Sequence, residues 1–83
     1  MQVLLHPVST EKAIEMINSK NTITYMVDQR AKKSEIKEEF EKMFNVKVES
    51  VSTANMPNNT KKVFIKLVPA SKAGDVAVKL KLV

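Results

Sequence analysis

The sequence predicts an α+β fold with the element order β-α-β-α-β-β-α, in which helices cover both faces of a small antiparallel or mixed sheet. Segments with alternating apolar residues are interleaved with segments whose apolar residues recur at helical spacing. Two strand-like segments near the C-terminus are separated only by a short turn, and the second of them is apolar on both faces. Because neither a repeat nor a Pro/Gly-rich linker divides the chain, residues 1–83 are predicted to form a single domain.

The N-terminal third contains the first three predicted elements. An apolar run at residues 3–5 predicts a short strand that ends before Pro7, because proline has no backbone N–H to donate to a sheet. Ser9 is predicted to cap a helix from about Thr10 to Ser19. Alternating, β-branched residues then predict a strand over residues 22–28 that is buried mainly on one face.

A second helix is predicted over residues 32–44, where Ile36, Phe40, Met43 and Phe44 recur at helical spacing. Asn45 follows as its predicted C-terminal cap, since asparagine tolerates the left-handed backbone conformation. Four glutamates of this helix alternate with lysines, which predicts a solvated face rather than paired catalytic carboxylates or a metal cluster. These are Glu35, Glu38, Glu39 and Glu41.

The C-terminal half predicts a hairpin followed by a short helix. The third strand starts at about Val46, and its apolar phase slips before Val51, which predicts a bulge or a change of buried face. Residues 56–60 predict the hairpin turn, and residues 61–68 the returning strand. Ser71 is predicted to cap the final helix.

The charge excess lies in one part of the chain. The formal net charge is +5, and residues 1–44 contain as many acidic as basic residues. Residues 45–83 carry seven lysines against Glu49 and Asp75, and therefore supply the whole excess. A basic region on a small domain predicts a polyanionic partner, with nucleic acid ahead of an acidic protein or a membrane.

The composition argues against an enzyme. The chain has no cysteine, His6 is its only histidine, and with Gly74 as its only glycine no glycine-rich phosphate loop can form. We interpret His6 as a capping or packing residue and the five methionines as core filler. The sequence therefore predicts no catalytic residue, no metal site, no cofactor and no small-molecule substrate.

The expected location is the cytoplasm. No apolar run approaches the ~20 residues that a membrane span needs, and the N-terminus lacks the basic region and small-residue cleavage site of a secretory signal. The lack of cysteine agrees with a reducing compartment.

Three cations, Arg30, Lys32 and Lys33, lie at or just before the start of the second helix. A helix N-terminus favours negative charge, so cations there are explained if an external anion such as phosphate joins them. A solvated basic turn explains the same residues equally well.

RNA-recognition modules often stack bases on aromatic side chains of a sheet. Tyr25 and Phe64 are the two aromatic residues on predicted strands, and burial in the core is the favoured interpretation for both. Lys61, Lys62 and Lys66 on the last strand supply cations for phosphate contacts, although lysines on an edge strand also prevent edge-to-edge pairing.

Three segments of the chain resemble a known family. HPVSTEKA (residues 6–13), NTITYMVDQRAKKSEIKEEFEKMFNVKVESVSTAN (residues 21–55) and KKVFIKLVP (residues 61–69) resemble the L23 family of large-subunit ribosomal proteins, in its archaeal form. The motifs occur in the family's order and at familiar spacing, and the resemblance runs from about residue 3 to the C-terminus.

The resemblance implies an α/β/α sandwich with a four-stranded antiparallel sheet. It also implies a structural role on the ribosome, in which the protein binds large-subunit rRNA at the rim of the polypeptide exit tunnel, beside neighbouring ribosomal proteins. Nascent-chain factors, including the signal recognition particle, would dock on the same rim, and Glu11 matches a position that faces them. The positions implied as rRNA contacts are Thr10, Lys12, Asn21, Arg30, Lys32, Lys33, Asn55, Lys61, Lys62 and Lys66.

Two departures from the family pattern affect these expectations. Bacterial members carry a long basic insertion at the hairpin tip, whereas residues 56–60 are only MPNNT, so this chain is not expected to line the tunnel deeply. Family members often have Thr or Ser where Lys32 stands and glycine where Asn45 stands. The alternative function is a plait-like protein-interaction module whose basic surface meets an acidic partner, and a small-molecule enzyme comes third.

Overall fold

The structure of the protein, a computed structural model, describes residues 3–56 and 60–80, apart from the side chain of Asn55. The predicted order of elements is confirmed. Their bounds are β1 Leu4–Pro7, α1 Glu11–Lys20, β2 Thr22–Asp28, α2 Lys33–Phe44, β3 Val48–Met56, β4 Thr60–Leu67 and α3 Ala73–Lys79.

The four strands form one antiparallel sheet in the order β1-β2-β4-β3. β2 and β4 are central, and the pairing of Ile23 with Ile65 and of Tyr25 with Val63 fixes their register. The sequence predicted a strand that ends before Pro7, but Pro7 is the last residue of β1. An edge strand accommodates proline, because one side of the strand needs no hydrogen-bond donor.

Alternation along the two central strands gives the sheet two different faces. The inner face consists of Ile23, Tyr25, Val27, Val63, Ile65 and Leu67, all of which are buried. The outer face consists of Thr22, Thr24, Met26, Lys62, Phe64 and Lys66, of which only the two threonines are fully buried. Successive side chains of a strand point to opposite sides, so each strand contributes to both faces.

The inner face is covered by α2 and α3. Phe40 of α2 is fully buried and meets Tyr25 edge-on, with ring centroids 6.3 Å apart. Buried Ala73, Val76 and Ala77 of α3 belong to the same apolar cluster. Burial of this contiguous cluster is the main stabilising contribution in a domain of this size.

Helix α1 borders the outer face. Thr10, Ala13 and Met16 line a small cavity together with Thr24 and Phe64. A helix therefore lies against each face of the sheet, and the predicted layered α+β fold is confirmed.

The caps of two helices differ from the sequence prediction. Thr10, not Ser9, caps α1, and its hydroxyl accepts a hydrogen bond from the Ala13 N–H at 3.2 Å. Lys72, not Ser71, precedes α3. The Ser71 hydroxyl instead accepts a hydrogen bond from the Lys47 N–H at 3.2 Å, which ties the approach to α3 to the start of β3.

The other local signals of the sequence were more accurate. Asn45 caps α2 in the left-handed conformation, with φ of 54°. The register of β3 against β4 shifts between Val48 and Ser50, which confirms an irregularity before Val51. The turn predicted at residues 56–60 falls partly outside the described residues.

Two predicted burial states were wrong. Glu41 is not simply solvated, because its Oε2 accepts a hydrogen bond from the Val48 N–H at 2.8 Å and holds the irregular start of β3. Met43 and Met56 are exposed to 55% and 38%, so these two methionines do not fill the core.

Candidate nucleic-acid interface

The turn between β2 and α2 presents three cations on a backbone fixed by internal hydrogen bonds. Asp28 Oδ1 accepts hydrogen bonds from the Arg30 N–H at 2.8 Å and from Arg30 Nε at 3.1 Å, and Oδ2 accepts from Nη2 at 3.2 Å. These bonds hold the pKa of Asp28 below its usual value and raise that of Arg30. The Arg30 side chain is nonetheless 77% exposed, so the guanidinium stays accessible to an anion.

Lys61 joins this turn from the neighbouring strand. Its ammonium donates a hydrogen bond at 2.8 Å to the Ala31 carbonyl oxygen, which brings β4 against the approach to α2. Lys32 and Lys33 are exposed. We call Arg30, Lys32, Lys33 and Lys61 the basic turn.

The start of α2 also receives negative charge from within the protein. Glu35 Oε1 accepts a hydrogen bond from the Lys32 N–H at 3.0 Å, which satisfies one free donor at the helix N-terminus. Asp28 and Glu35 thus supply part of the negative charge that the sequence argument assigned to an external anion. The exposed lysines still lack acidic partners among the described side chains.

A second group of predicted residues lies along α1 and the outer face. Lys12, Met16 and Phe64 line both the small cavity beside Thr24 and an adjoining open cleft of about 400 Å³, which extends to Lys20. Lys62 also lines the small cavity, and its Nζ lies 5.9 Å from the centre of the Phe64 ring. We call this pair of connected hollows the α1 cleft.

The two strand aromatics have different environments. Tyr25 is 6% exposed, as predicted, and burial raises the pKa of its hydroxyl. Phe64 is only half-buried, so the prediction of burial was wrong for this residue. The sequence contained the signal, because Lys62 and Phe64 are two residues apart on one strand and must share a face.

The Asn21 side chain joins the C-terminal end of α1 to the segment between the end of β4 and the start of α3. Its Nδ2 lies 3.2 Å from the carbonyl oxygens of Leu67 and Val68 and 2.8 Å from that of Ser71, while its Oδ1 accepts from the Ala73 N–H at 2.7 Å. The amide is therefore engaged within the fold, and an RNA contact would have to compete with these bonds.

Lys66, Asn55 and Glu11 are the remaining predicted residues. Lys66 pairs with Glu49 at 3.3 Å, with both side chains about half exposed, and such a surface pair contributes about 0–1 kcal/mol. Asn55 pairs with Lys61 through β3 and β4, and its side chain is not described. Glu11 is exposed in the first turn of α1.

The described residues contain no group of three His, Asp or Glu side chains placed to hold a metal ion. Within the same part of the chain, no helix is long and apolar enough to cross a membrane.

A family model described as Ribosomal protein L23 matches residues 2–81, nearly the whole chain. The chain belongs to the ribosomal protein L23 family. It is similar to the large ribosomal subunit protein uL23 of Dictyostelium discoideum, with 43% identity over 82 residues. That alignment covers 99% of this chain and 48% of the relative, so the chain spans about half the length of the curated relative that it matches.

Membership of the L23 family confirms the predicted family and the prediction of a ribosomal protein rather than an enzyme. The archaeal form and the roles assigned to individual residues remain predictions.

Proposed function

We propose that this L23 chain is a structural constituent of the large ribosomal subunit in its archaeal form, and that it acts in the cytoplasm. It binds large-subunit rRNA at the rim of the polypeptide exit tunnel, beside neighbouring ribosomal proteins. The basic turn is the observation that supports this best, because it gathers four cations where hydrogen bonds join the β2–α2 turn to β4.

The hydrogen bonds of the basic turn favour phosphate binding by fixing its cations in advance. Arg30 is held by Asp28 and Lys61 by the Ala31 carbonyl, yet each keeps N–H groups to offer an RNA phosphate. Side chains that are already ordered lose less entropy on binding, so more of the phosphate attraction appears as affinity. Lys32 and Lys33 add charge to the same edge.

The proposed roles of the other predicted contacts differ. Lys12 and Lys62 supply phosphate contacts at the α1 cleft, and Lys66 and Asn55 extend the surface along the hairpin. Thr10 and Asn21 position the backbone, because their side chains already bond within the fold. Sequence-independent phosphate contacts provide most of the affinity in such an interface, and shape provides the placement.

Glu11 is proposed to belong to a separate protein-docking surface for nascent-chain factors such as the signal recognition particle. Its carboxylate is exposed on the first turn of α1, outside the basic turn. Glu11→Lys should weaken co-sedimentation of such a factor with ribosomes while leaving rRNA affinity within about threefold, since one rim charge changes little. Unchanged factor binding would remove Glu11 from that surface.

The proposal is tested by measuring binding to large-subunit and small-subunit rRNA across a salt series. If about four to six phosphates are neutralised, log affinity should fall with log salt at a slope of roughly −3 to −5. A large-subunit preference that persists at higher salt supports the proposal. Equal binding to both RNAs that vanishes with salt would favour an acidic protein partner instead.

A double charge reversal locates the site. Lys32→Glu with Lys33→Glu should reduce the salt slope by about 2 and the affinity at least ~10-fold, because each lysine contributes about one phosphate contact. Lys37→Glu with Lys42→Glu is the matched control, since it changes the net charge equally at exposed positions further along α2. Equal losses in both variants would show that only net charge matters and that the basic turn is not the site.

A further inference from the structure

The α1 cleft combines features that phosphate binding alone does not require. Its larger hollow is about 400 Å³, comparable to the space that small-molecule groups occupy in proteins, and a half-buried aromatic ring forms part of its wall. Lys12, Lys20 and Lys62 stand along its length, and Glu15 also lines the larger hollow. An aromatic surface with cations beside it resembles neither a plain basic patch nor a fully covered core.

The inner end of the cleft contains an unpaired buried hydroxyl. Thr24 is 2% exposed, and its Oγ1 has no hydrogen-bond partner among the described residues. A buried hydroxyl without a partner destabilises the folded state, because it has lost its hydrogen bonds to water and gained none within the protein. Thr24 lines the small cavity beside Phe64, and its hydroxyl oxygen is covered in the unbound protein, so a polar group in the cleft reaches this oxygen only after the lining side chains shift.

We propose that the α1 cleft takes a single unpaired, unstacked nucleotide of the bound RNA. The base stacks on Phe64 in place of the Lys62 ammonium, and a polar edge of the base is directed toward Thr24. Lys12 and Lys62 contact the flanking phosphates. The inference rests on the proposed function and names the RNA feature that the site would select.

Two arguments favour an extruded nucleotide over a helical segment. The major groove of an A-form helix is too deep and narrow for side chains to read, whereas a splayed-out base stacks on an aromatic residue and exposes its edges. The cleft also lies next to the basic turn along the chain, on the other face of β4, because Lys61 belongs to the turn and the consecutive Lys62 lines the cleft. An RNA strand bound at the turn is thus held close to the cleft.

The first test compares Phe64→Leu and Phe64→Tyr in binding to large-subunit rRNA. Leucine keeps an apolar side chain without the aromatic face, and tyrosine keeps the face. Base stacking on an aromatic residue predicts a loss of about 5- to 100-fold for Phe64→Leu, with an unchanged salt slope, and affinity within about threefold for Phe64→Tyr. Wild-type affinity for folded Phe64→Leu, with the large-subunit preference intact, would overturn the inference and leave the proposed function standing.

A second measurement does not depend on any variant folding. Ultraviolet irradiation of the wild-type complex at a wavelength that excites bases should cross-link the peptide containing Phe64 to one nucleotide position, because stacking brings ring and base into van der Waals contact. Cross-links confined to peptides of the basic turn would overturn the inference. Absence of a large-subunit preference in the wild type would instead count against the proposed function.

Discussion

The inner and outer faces of the sheet are built from the same strands but have different chemistry. On the inner face, Ile23, Val27, Val63 and Ile65 are completely buried. On the outer face, Lys62 and Phe64 are only half-buried and Thr24 keeps an unpaired hydroxyl. Along one strand, alternate residues therefore belong to the core and to a candidate binding surface. Substitutions at adjacent positions should accordingly differ in their effects on the free energy of unfolding and on RNA affinity.

The largest contrast is expected between a core residue and an exposed outer-face residue. Ile65→Ala should lower the free energy of unfolding by about 2–5 kcal/mol, since it leaves a cavity at a fully buried position. Ser52→Ala, which lies opposite Phe64 on exposed β3, should change it by less than about 0.5 kcal/mol. Urea denaturation measures both values, and similar costs would show that the two faces do not differ in this way.

A pH titration probes the buried hydroxyl of Tyr25. The pKa of Tyr25 is raised by burial, so the unfolded chain ionises first as pH rises, near the ordinary value of 10.0. The folded state then binds more protons than the unfolded state, and stability should fall above pH 10 by up to about 1.4 kcal/mol per pH unit until Tyr25 itself ionises. Below pH 10 this contribution is fully present.

The titration is experimentally accessible because Tyr25 is the only tyrosine. Absorbance of the tyrosinate ion follows its ionisation directly, and Tyr25→Phe provides the reference for lysines that titrate in the same range. An identical loss of stability in wild type and Tyr25→Phe would assign the alkaline effect to the lysines alone.

At Thr24 the expected effect on stability is smaller than at Ile65 and has the opposite sign. Thr24→Val removes the unpaired hydroxyl while keeping the side-chain shape, and should raise the free energy of unfolding by about 1 kcal/mol. The same variant should bind large-subunit rRNA less tightly if a base edge meets this hydroxyl. Thr53→Val, at an exposed position of β3, is the matched control for β-propensity.

A destabilising effect of Thr24→Val would show that the hydroxyl has a partner after all. If stability increases and rRNA affinity is unchanged, the Thr24 hydroxyl is an unpaired buried group that only destabilises the fold. It would then have no role in the nucleotide site.

Local patterns predicted the elements well and the tertiary contacts poorly. Asn21 and Asn45 both end helices in the left-handed conformation, with φ of 51° and 54°. Short-range signals suffice for this backbone role, and Asn45 was predicted from them. The bonds from Asn21 to residues 67–73 could not be predicted from neighbouring residues in the sequence, because only the folded sheet brings these partners together.

The candidate site divides in the same way. The basic turn was predictable, since Arg30, Lys32 and Lys33 are close in sequence and their charge is anomalous at a helix start. The α1 cleft was not, because it requires Phe64 to stay half exposed beside α1. Phe64 was assigned to the core since β4 is apolar on both faces, but α1 does not cover the whole outer face.

The bonds made by Asn21 also have a consequence for the timing of folding during synthesis. The central strand β2 lacks its inner neighbour β4 until residue 67 has been made, and the Asn21 amide lacks its last partner until residue 73. Contacts between distant parts of the chain cannot form before the later part exists, so a growing polypeptide can pair β1 with β2 but leaves β3 without its neighbour β4. The domain therefore closes only after the start of α3, at Ala73, has been made.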